Sequence, residues 1–234
     1  MRVMSLYAKH LMPKYAGLMA LLLIIITLVL FQFFPQWDVN SATYFYLSDN
    51  TFLWSNTAWA NALRHVLYDS VALIMIVMIV LGILAKWKPT LQHWVRWQTA
   101  LFVVLSFALG PGLVVNAILK NHWDRPRPHQ ITQLGGTMHF KPAGTPGGQC
   151  PTNCSFVCGD ASVMFAFWAF LPFIRRRWHR IGYGMLILAA GSFIGLVRMA
   201  QGGHFLSDVI LSGLIVYLVI WLLHRAFKKV ALIS

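Results

Sequence analysis

Residues 198–208, Arg198-Met-Ala-Gln-Gly-Gly-His204-Phe-Leu-Ser-Asp208, separate two long apolar runs near the end of the chain. The stretch offers a cation, two adjacent glycines, an imidazole and a carboxylate. On a helix, side chains four residues apart share one face, so Asp208 could bind one ring nitrogen of His204 and leave the other free to attack. Taken alone, the stretch favours a plainer role, in which the histidine and the aspartate cap a membrane helix. Its role therefore depends on the rest of the chain.

The composition indicates a membrane protein. Of 234 residues, 58% are hydrophobic and only 11% are charged, and the apolar residues form blocks close to the roughly 20 residues that span a bilayer. No soluble domain is evident, so we predict an all-α, polytopic membrane protein with a single domain over residues 1–234. Its six transmembrane helices are predicted at residues 16–34, 66–85, 100–119, 157–174, 181–197 and 207–223, with an interfacial segment at 36–65 and an active-site loop at 120–155.

The basic residues predict the orientation of these spans. A net charge of +13 could suggest a nucleic-acid partner, but the charge is divided among the segments between apolar blocks, which is typical of membrane topology. With the N-terminus in the cytoplasm, thirteen of the nineteen Lys and Arg residues fall on the inner side. Both termini are therefore predicted to be cytoplasmic. Six basic residues remain on the outer side: Arg64, Lys120, Arg125, Arg127, Lys141 and Arg198. Four of them lie close to the membrane ends of the third and fifth spans, and charges held beside a membrane against the orientation bias suggest function.

Three segments that are far apart in the sequence would bring polar side chains to one membrane level. Lys120 and Arg127 follow the third span, Cys158-Gly159-Asp160 opens the fourth, and residues 198–208 join the fifth to the sixth. Three cations beside a helix N-terminus suit a multiply charged anion such as phosphate. A histidine among them suits in-line attack on phosphorus, and Asp160 could protonate the departing oxygen.

Two motifs with fixed internal spacing resemble those of a known family. Lys120-Asn-His-Trp-Asp-Arg-Pro-Arg127-Pro128 matches the K-x6-R-P motif of the type-2 phosphatidic acid phosphatase superfamily, and Arg198 with His204-Phe-Leu-Ser-Asp208 matches the R-x5-H-x3-D part of its third motif. Between them, Val157-Cys158-Gly159-Asp160 aligns with the family's P-S-G-H. The surrounding Cys154-Ser-Phe-Val-Cys-Gly-Asp-Ala-Ser162 is similar to a bacterial branch that includes the lipid A 4'-phosphatases.

The resemblance implies a role for each matching position. His204 resembles the nucleophile that forms a phosphohistidine, Asp208 its orienting partner, and Asp160 the acid for the leaving group. No metal or other cofactor is expected, because the cations neutralise the charge that a metal would otherwise neutralise. The phosphate-binding positions correspond to Lys120, Arg127, Arg198, Cys158 and Gly159.

The middle motif departs from the family pattern. Val157, Cys158 and Asp160 replace Pro, Ser and His. A thiol is a weaker hydrogen-bond donor than a hydroxyl, so one phosphate contact should be weakened. Aspartate has a reference pKa of about 3.9 against about 6.5 for histidine. Nearby cations would lower the pKa of Asp160 and desolvation would raise it, so it can act as an acid only if burial or the charge of the bound phosphate prevails.

Other polar side chains of the active-site loop have simpler explanations. Arg125 and Asp124 lie off the fixed motif positions, and we expect a local ion pair between them. The histidines of this loop lack familiar zinc-ligand spacing, so we expect them to contact the loop or the substrate: His122, His129 and His139. A disulfide between Cys150 and Cys154 is plausible in an oxidising compartment, although Cys154–Cys158 competes and one cysteine is left over.

These features predict a metal-independent lipid-phosphate phosphatase in the bacterial inner membrane, with its active site facing the periplasm. Lipid A phosphate is one candidate substrate, and undecaprenyl diphosphate and phosphatidylglycerol phosphate are alternatives. A catalytically weak binder or transporter of lipid phosphates is the alternative of another class. The expected partners are a phospholipid or lipid A-type substrate and the bilayer, with no nucleic acid, and the sequence does not indicate an oligomeric state.

Overall fold

The structure, a computed structural model, is helical and describes residues 12–88, 90–91 and 95–229. Its described residues contain no β-strand, only two isolated bridges, which confirms the all-α prediction. The basic segment 1–11 and the tail 230–234, on which the predicted orientation partly depends, lie outside the described residues. The helices are α1 (Ala16–Phe33), α2 (Gln36–Thr43), α3 (Ala58–Trp87), α4 (Trp97–His122), α5 (Gly159–Phe173), α6 (Arg177–Ala200) and α7 (Leu206–Lys229).

Five helices are long and apolar enough to cross a membrane: α1, α3, α4, α6 and α7. The predicted fourth span corresponds to α5, which is apolar but shorter. It is α-helical from Gly159 to Phe165 and continues as a 3-10 helix from Ala166 to Phe173. The structure thus supports a multi-pass membrane protein with five candidate spans, and a sixth span stays a prediction.

Helix α4 changes its geometry halfway. It is α-helical from Trp97 to Phe107 and π-helical from Ala108 to Leu119, across the Gly110-Pro-Gly112 sequence that predicts a kink. Proline has no N–H and crowds the preceding turn of an α-helix, whereas a π segment widens that turn. The Pro111 carbonyl accepts a hydrogen bond from the Asn116 side chain (2.8 Å). The π segment ends directly before Lys120 and so sets the face of the helix on which Lys120 lies.

Small residues let α5, α6 and α7 approach closely. A Cβ added to Gly191 of α6 would lie 2.4 Å from the ring of Phe165, and one added to Gly195 would lie 2.2 Å from Val209 of α7. Lipid is as apolar as the side chains, so membrane helices associate through such close packing more than through hydrophobic burial. The contacts place the beginning of α5, the end of α6 and the beginning of α7 side by side.

Candidate active site

The turn between α6 and α7 brings Arg198 and His204 together. The N–H groups of Gly202 and Gly203 donate back to carbonyls of the last turn of α6 (both 2.9 Å), in the pattern of a Schellman motif. Gly202 has φ +68°, and a Cβ there would lie 2.6 Å from Phe52. A Cβ on Gly203 would lie 2.9 Å from a terminal nitrogen of Arg198. Position 202 therefore requires glycine, while a side chain at position 203 would displace the end of the Arg198 side chain.

His204 is buried directly before α7, and its ring has a fixed orientation. Its Nδ1 lies 2.8 Å from the carbonyl oxygen of Ser155 and 3.7 Å from Oδ2 of Asp208. The expected contact with Asp208 is thus present as an ion-pair distance, whereas the short hydrogen bond goes to the Ser155 carbonyl. A carbonyl only accepts, so Nδ1 carries the proton and Nε2 keeps its lone pair. That tautomer is the one required for nucleophilic attack.

Burial lowers the pKa of His204 to about 4. The carboxylate of Asp208 opposes this shift, and the charges of Lys120 and Arg198 add to it. The imidazole is therefore neutral at pH values above about 4, and its lone pair is available across the physiological range. Neutral histidine among cations can attack phosphorus without first losing a proton.

Asp208 is held by a buried set of side chains that we call the nucleophile cluster: Asp38, Arg125, Ser155, Ser207 and Asp208. Arg125 donates to Oδ1 of Asp208 (2.6 Å) and to Oδ2 of Asp38 (2.7 Å), and all three side chains are fully buried. The Ser155 hydroxyl donates to Oδ2 of Asp208 (2.5 Å), as does the Phe205 N–H (2.9 Å). The expected Arg125–Asp124 pair is therefore wrong, because Arg125 points into the protein and pairs with two distant carboxylates.

In the nucleophile cluster, one guanidinium pairs with two carboxylates. Desolvation would lower the pKa of Arg125, but the carboxylates of Asp208 and Asp38 outweigh it and raise that pKa, so the guanidinium stays charged. Burial raises the pKa of Asp38, while Arg125 and hydrogen bonds from Ser207 oppose the shift. A buried ion pair gives little net stability, but removing one partner leaves an uncompensated charge at a cost of about 3–5 kcal/mol. The cluster thus fixes the position of Asp208 rigidly.

Lys120 and Arg127 meet at Asn153. Lys120 Nζ donates to Oδ1 of Asn153 (3.4 Å), and the Arg127 guanidinium donates to the Asn153 carbonyl through Nη2 (2.7 Å) and Nε (3.2 Å). A Cβ on Gly159 would lie 3.1 Å from Lys120 Nζ, so glycine lets the ammonium lie across the beginning of α5. The structure thereby brings the two cations of the first motif to the same place as the middle motif.

Asp160 is surrounded by donors in a second set that we call the Asp160 cluster: Arg64, Tyr68, Asp160 and Arg198. Arg198 Nε lies 2.7 Å from Oδ2 of Asp160, while the Tyr68 hydroxyl (2.6 Å) and Arg64 Nε (3.3 Å) donate to Oδ1. The N–H of Arg198 Nε is buried without an aligned hydrogen bond among the described residues. Asp160 is therefore an acceptor in the resting site, and it must gain a proton before it can serve as an acid.

The loop before α5 is closed by a disulfide between Cys150 and Cys154, and Cys158 is free and buried. This loop carries Asn153 and Ser155, which contact Lys120, Arg127, His204 and Asp208. Among the described residues, no three His, Cys, Asp or Glu side chains form a group that could hold a metal ion. His129 instead binds the Gly202 carbonyl through Nδ1 (2.9 Å) and supports the glycine turn.

Several site residues were missed by sequence reasoning. The shortage of acids, with Asp38 one of only six and no glutamate, and the position of Arg64 on the outer side were signals that could have directed attention to two of them. The others belong to common residue types without a recognisable spacing. The missed residues are Asp38, Arg64, Tyr68, Asn153, Ser155 and Ser207.

The chain is similar to proteins of one known family. The family model of the PAP2 superfamily matches residues 99–231. A lipid A 4'-phosphatase of Francisella tularensis subsp. novicida (strain U112) is 33% identical over 221 residues, which cover 93% of this chain and 98% of that protein. A lipid A 4'-phosphatase of Rhizobium leguminosarum is 38% identical over 109 residues, or 47% of this chain and 46% of that protein.

No solved structure matches the chain. The family match and the relatives bear out the expectation of a hydrolase that acts on phosphate esters. They equally support a lipid phosphatase with membrane helices. The chain belongs to the PAP2 superfamily.

Proposed function

We propose that this lipid phosphatase works without a metal, at the periplasmic face of the membrane, through a phosphohistidine at His204. The observation that carries the proposal is the buried His204 ring, whose Nδ1 lies 2.8 Å from the Ser155 carbonyl so that Nε2 is free. In the first step, the Nε2 lone pair forms a bond to phosphorus while the bond to the leaving oxygen breaks. Water then attacks the phosphohistidine and releases phosphate.

The positive charge that develops on the imidazole is stabilised by groups on the Nδ1 side of the ring. Nδ1–H donates to Ser155, and the Asp208 carboxylate lies 3.7 Å away. The nucleophile cluster contains two carboxylates and one guanidinium, so it presents net negative charge to a phosphorylated imidazolium. Electrostatic stabilisation in a site that excludes water is often the largest contribution to catalysis.

Lys120, Arg127 and Arg198 are proposed to hold the phosphate. Their contacts to Asn153 and Asp160 leave donor groups that can turn to phosphate oxygens, and the unaligned Nε–H of Arg198 is one of them. The proposal assigns the backbone N–H of Gly159 and the Cys158 thiol to the same phosphate. These donors would neutralise the charge of the transferred phosphoryl group, so that no metal ion is needed. Turnover in the presence of a chelator tests this part of the proposal.

Asp160 is proposed to protonate the leaving oxygen after substrate has bound. In the resting site two guanidinium groups and a phenol favour its carboxylate form. A phosphate that attracts those arginines would weaken their hold on Asp160 and add a negative charge beside it. Both changes favour the protonated carboxyl group.

Lipid A phosphate is the proposed substrate, because the relatives are lipid A 4'-phosphatases. Undecaprenyl diphosphate and phosphatidylglycerol phosphate are alternative substrates that also carry a terminal phosphate. The second candidate function, a catalytically weak binder or transporter of lipid phosphates, is favoured by the acceptor role of Asp160 in the resting site. A fixed imidazole with a free Nε2 favours the enzyme, since a binder has no use for a nucleophile.

The proposed setting is the bacterial inner membrane, with six spans and both termini in the cytoplasm. Helix α5, which corresponds to the predicted fourth span, would bring the number of spans from five to six. Its 3-10 half rises about 2.0 Å per residue against about 1.5 Å for an α-helix, which gives a short helix extra reach. Cysteine accessibility labelling on intact cells tests the arrangement: a cysteine introduced at Thr152 should react from outside, and one at Arg177 should not.

The test of function is release of phosphate by the purified protein in detergent with EDTA present. Lipid A, undecaprenyl diphosphate, phosphatidylglycerol phosphate and phosphatidic acid are assayed side by side. We expect turnover in EDTA, fastest on lipid A, and none from the variant His204→Ala. Loss of activity in EDTA would contradict a metal-independent mechanism, and unchanged turnover by His204→Ala would contradict the phosphohistidine.

A further inference from the structure

One face of α3 lies against the Asp160 side of the site. Asn61, Arg64 and Tyr68 are spaced by three and four residues and therefore share that face. Asn61 accepts a hydrogen bond from the Gln201 side chain (3.2 Å), and Arg64 and Tyr68 both donate to Asp160. Helix α3 precedes residue 99, where the match to the family model begins. The phosphate-binding motifs therefore assign nothing to this face.

Arg64 is a fourth cation within range of the phosphate site. Its side chain is 50% exposed, and only Nε is hydrogen-bonded to a described residue, so its terminal nitrogens can reach a ligand. Burial lowers the pKa of Arg127, and the positive charges of Arg198 and Arg64 lower it further. The three guanidinium groups therefore lie within electrostatic range of one another, with Asp160 between two of them.

The charges in this part of the site are unbalanced without a ligand. Four cations face one carboxylate, whereas a phosphate monoester brings up to two negative charges. An anion that binds here would satisfy donors that Asp160 satisfies only in part. The charged and titratable groups that face Asp160 are Arg64 and Tyr68 of α3, Lys120 of α4, Arg127 of the loop after α4, Arg198 of α6, Cys158 before α5 and His204 before α7.

We propose that Arg64 releases Asp160 and binds the phosphate of the substrate in its place, and that Tyr68 positions Asp160 during that exchange. This inference rests on the proposed function. When Arg64 and Arg198 turn to the phosphate, Asp160 takes up one proton from the solvent that surrounds the exposed part of the Arg64 side chain. That proton then passes to the leaving oxygen as its bond to phosphorus breaks, and Asp160 returns to its carboxylate form. Arg64 stays protonated throughout.

The first test compares Arg64→Gln with Arg177→Gln, which removes an exposed arginine at the beginning of α6. The measured quantities are kcat, KM for the lipid monoester, and the inhibition constant of inorganic phosphate. We expect Arg64→Gln to raise KM and the inhibition constant about tenfold, Arg64→Lys to recover most of that loss, and Arg177→Gln to change neither. An inhibition constant for phosphate that Arg64→Gln leaves unchanged, at an unchanged melting temperature, would overturn the assignment.

The second test concerns Tyr68. Tyr68→Phe removes one donor to the carboxylate form of Asp160, so the descending limb of kcat against pH should move upward by about 0.5–1 pH unit. Tyr183→Phe is the matched control, because it also removes a hydrogen bond from a half-buried tyrosine, to the Phe167 carbonyl (3.1 Å), away from the site. A limb that stays in place in Tyr68→Phe would overturn the positioning role. An inactive wild-type protein would instead contradict the proposed function itself.

Discussion

The carboxylates of Asp208 and Asp160 are both held by arginine, but in opposite ways. In the nucleophile cluster, Arg125 is fully buried and its charge is already compensated by Asp38 and Asp208. In the Asp160 cluster, Arg64 is half exposed and Arg198 is partly exposed, and both border the place where phosphate should bind. In the nucleophile cluster, the buried arginine is out of reach of a ligand. In the Asp160 cluster, an incoming anion can replace the carboxylate at the arginines. We therefore expect the nucleophile cluster to fix the nucleophile and the Asp160 cluster to respond to substrate.

The largest expected effect is on folding, and it separates the two clusters most clearly. Arg125→Met would leave Asp38 and Asp208 buried without a cation, which should reduce the free energy of unfolding by about 3–5 kcal/mol. Arg198→Met should abolish turnover but leave a folded protein, because Asp160 retains Arg64 and Tyr68. Melting temperatures in detergent distinguish the two. Equal melting temperatures would mean that the buried pair does not fix the fold around Asp208.

The next effect is on the chemistry of the leaving group. Asp160→Asn cannot donate a proton, so it should slow hydrolysis of a sugar phosphate monoester by about 10²–10⁴-fold. It should slow a diphosphate much less, because a phosphate leaving group requires less protonation. The measurement is kcat for both substrates with the same variant. Equal losses on the two substrates would count against Asp160 as the acid and in favour of a purely electrostatic role.

The pH dependence of His204 protonation tests the nucleophile independently of the Asp160 cluster. Burial lowers its pKa to about 4, so a histidine NMR titration should show a resonance that titrates near pH 4 and disappears in His204→Gln. The folded protein then binds fewer protons than the unfolded chain between pH 4 and about 6.5, so its stability should fall as the pH is lowered through that window. His122→Gln, at the exposed end of α4, should leave the resonance in place. A value near 6.5 would show that His204 is open to water.

The smallest effect should come from the loop that connects the two clusters. Reduction of the Cys150–Cys154 disulfide, or the double change Cys150→Ser with Cys154→Ser, releases a short loop and should lower stability by about 2 kcal/mol. Because Asn153 contacts Lys120 and Arg127, and Ser155 contacts His204, turnover should fall together with stability. A melting curve and an activity assay with and without reductant measure both. A melting temperature that reductant leaves unchanged would show that the loop is held by its other hydrogen bonds.

Motif spacing predicted which polar side chains lie close together. The structure brings Lys120, Arg127, Arg198, His204 and Asp208 near one another and near Asp160, and their roles in catalysis stay a prediction. The nearest contact of His204 was not predictable, because a backbone carbonyl such as that of Ser155 has no signature in the sequence. The local Arg125–Asp124 pair was wrong because proximity in sequence said nothing about Asp38, which lies 87 residues from Arg125.

The helices show a similar division. Apolar run length identified the candidate spans, since a bilayer imposes a minimum length on a helix. The start of α3 at Ala58 was missed, because the residues before the apolar run are polar and aromatic and suited an interfacial segment. This extra length is what carries Arg64 to the site. The 3-10 half of α5 was missed as well, since its apolar sequence resembles that of an ordinary α-helical span.

The most direct test of the account is to trap the phosphoenzyme. The purified protein is mixed with lipid A labelled with ³²P at its phosphates, quenched with alkali within the first turnover, and digested for mapping of the label. The account predicts an alkali-stable, acid-labile phosphoryl group on the peptide that contains His204, at up to one per chain, and none in His204→Ala. A label on another residue, or full turnover by His204→Ala with no label, would contradict it.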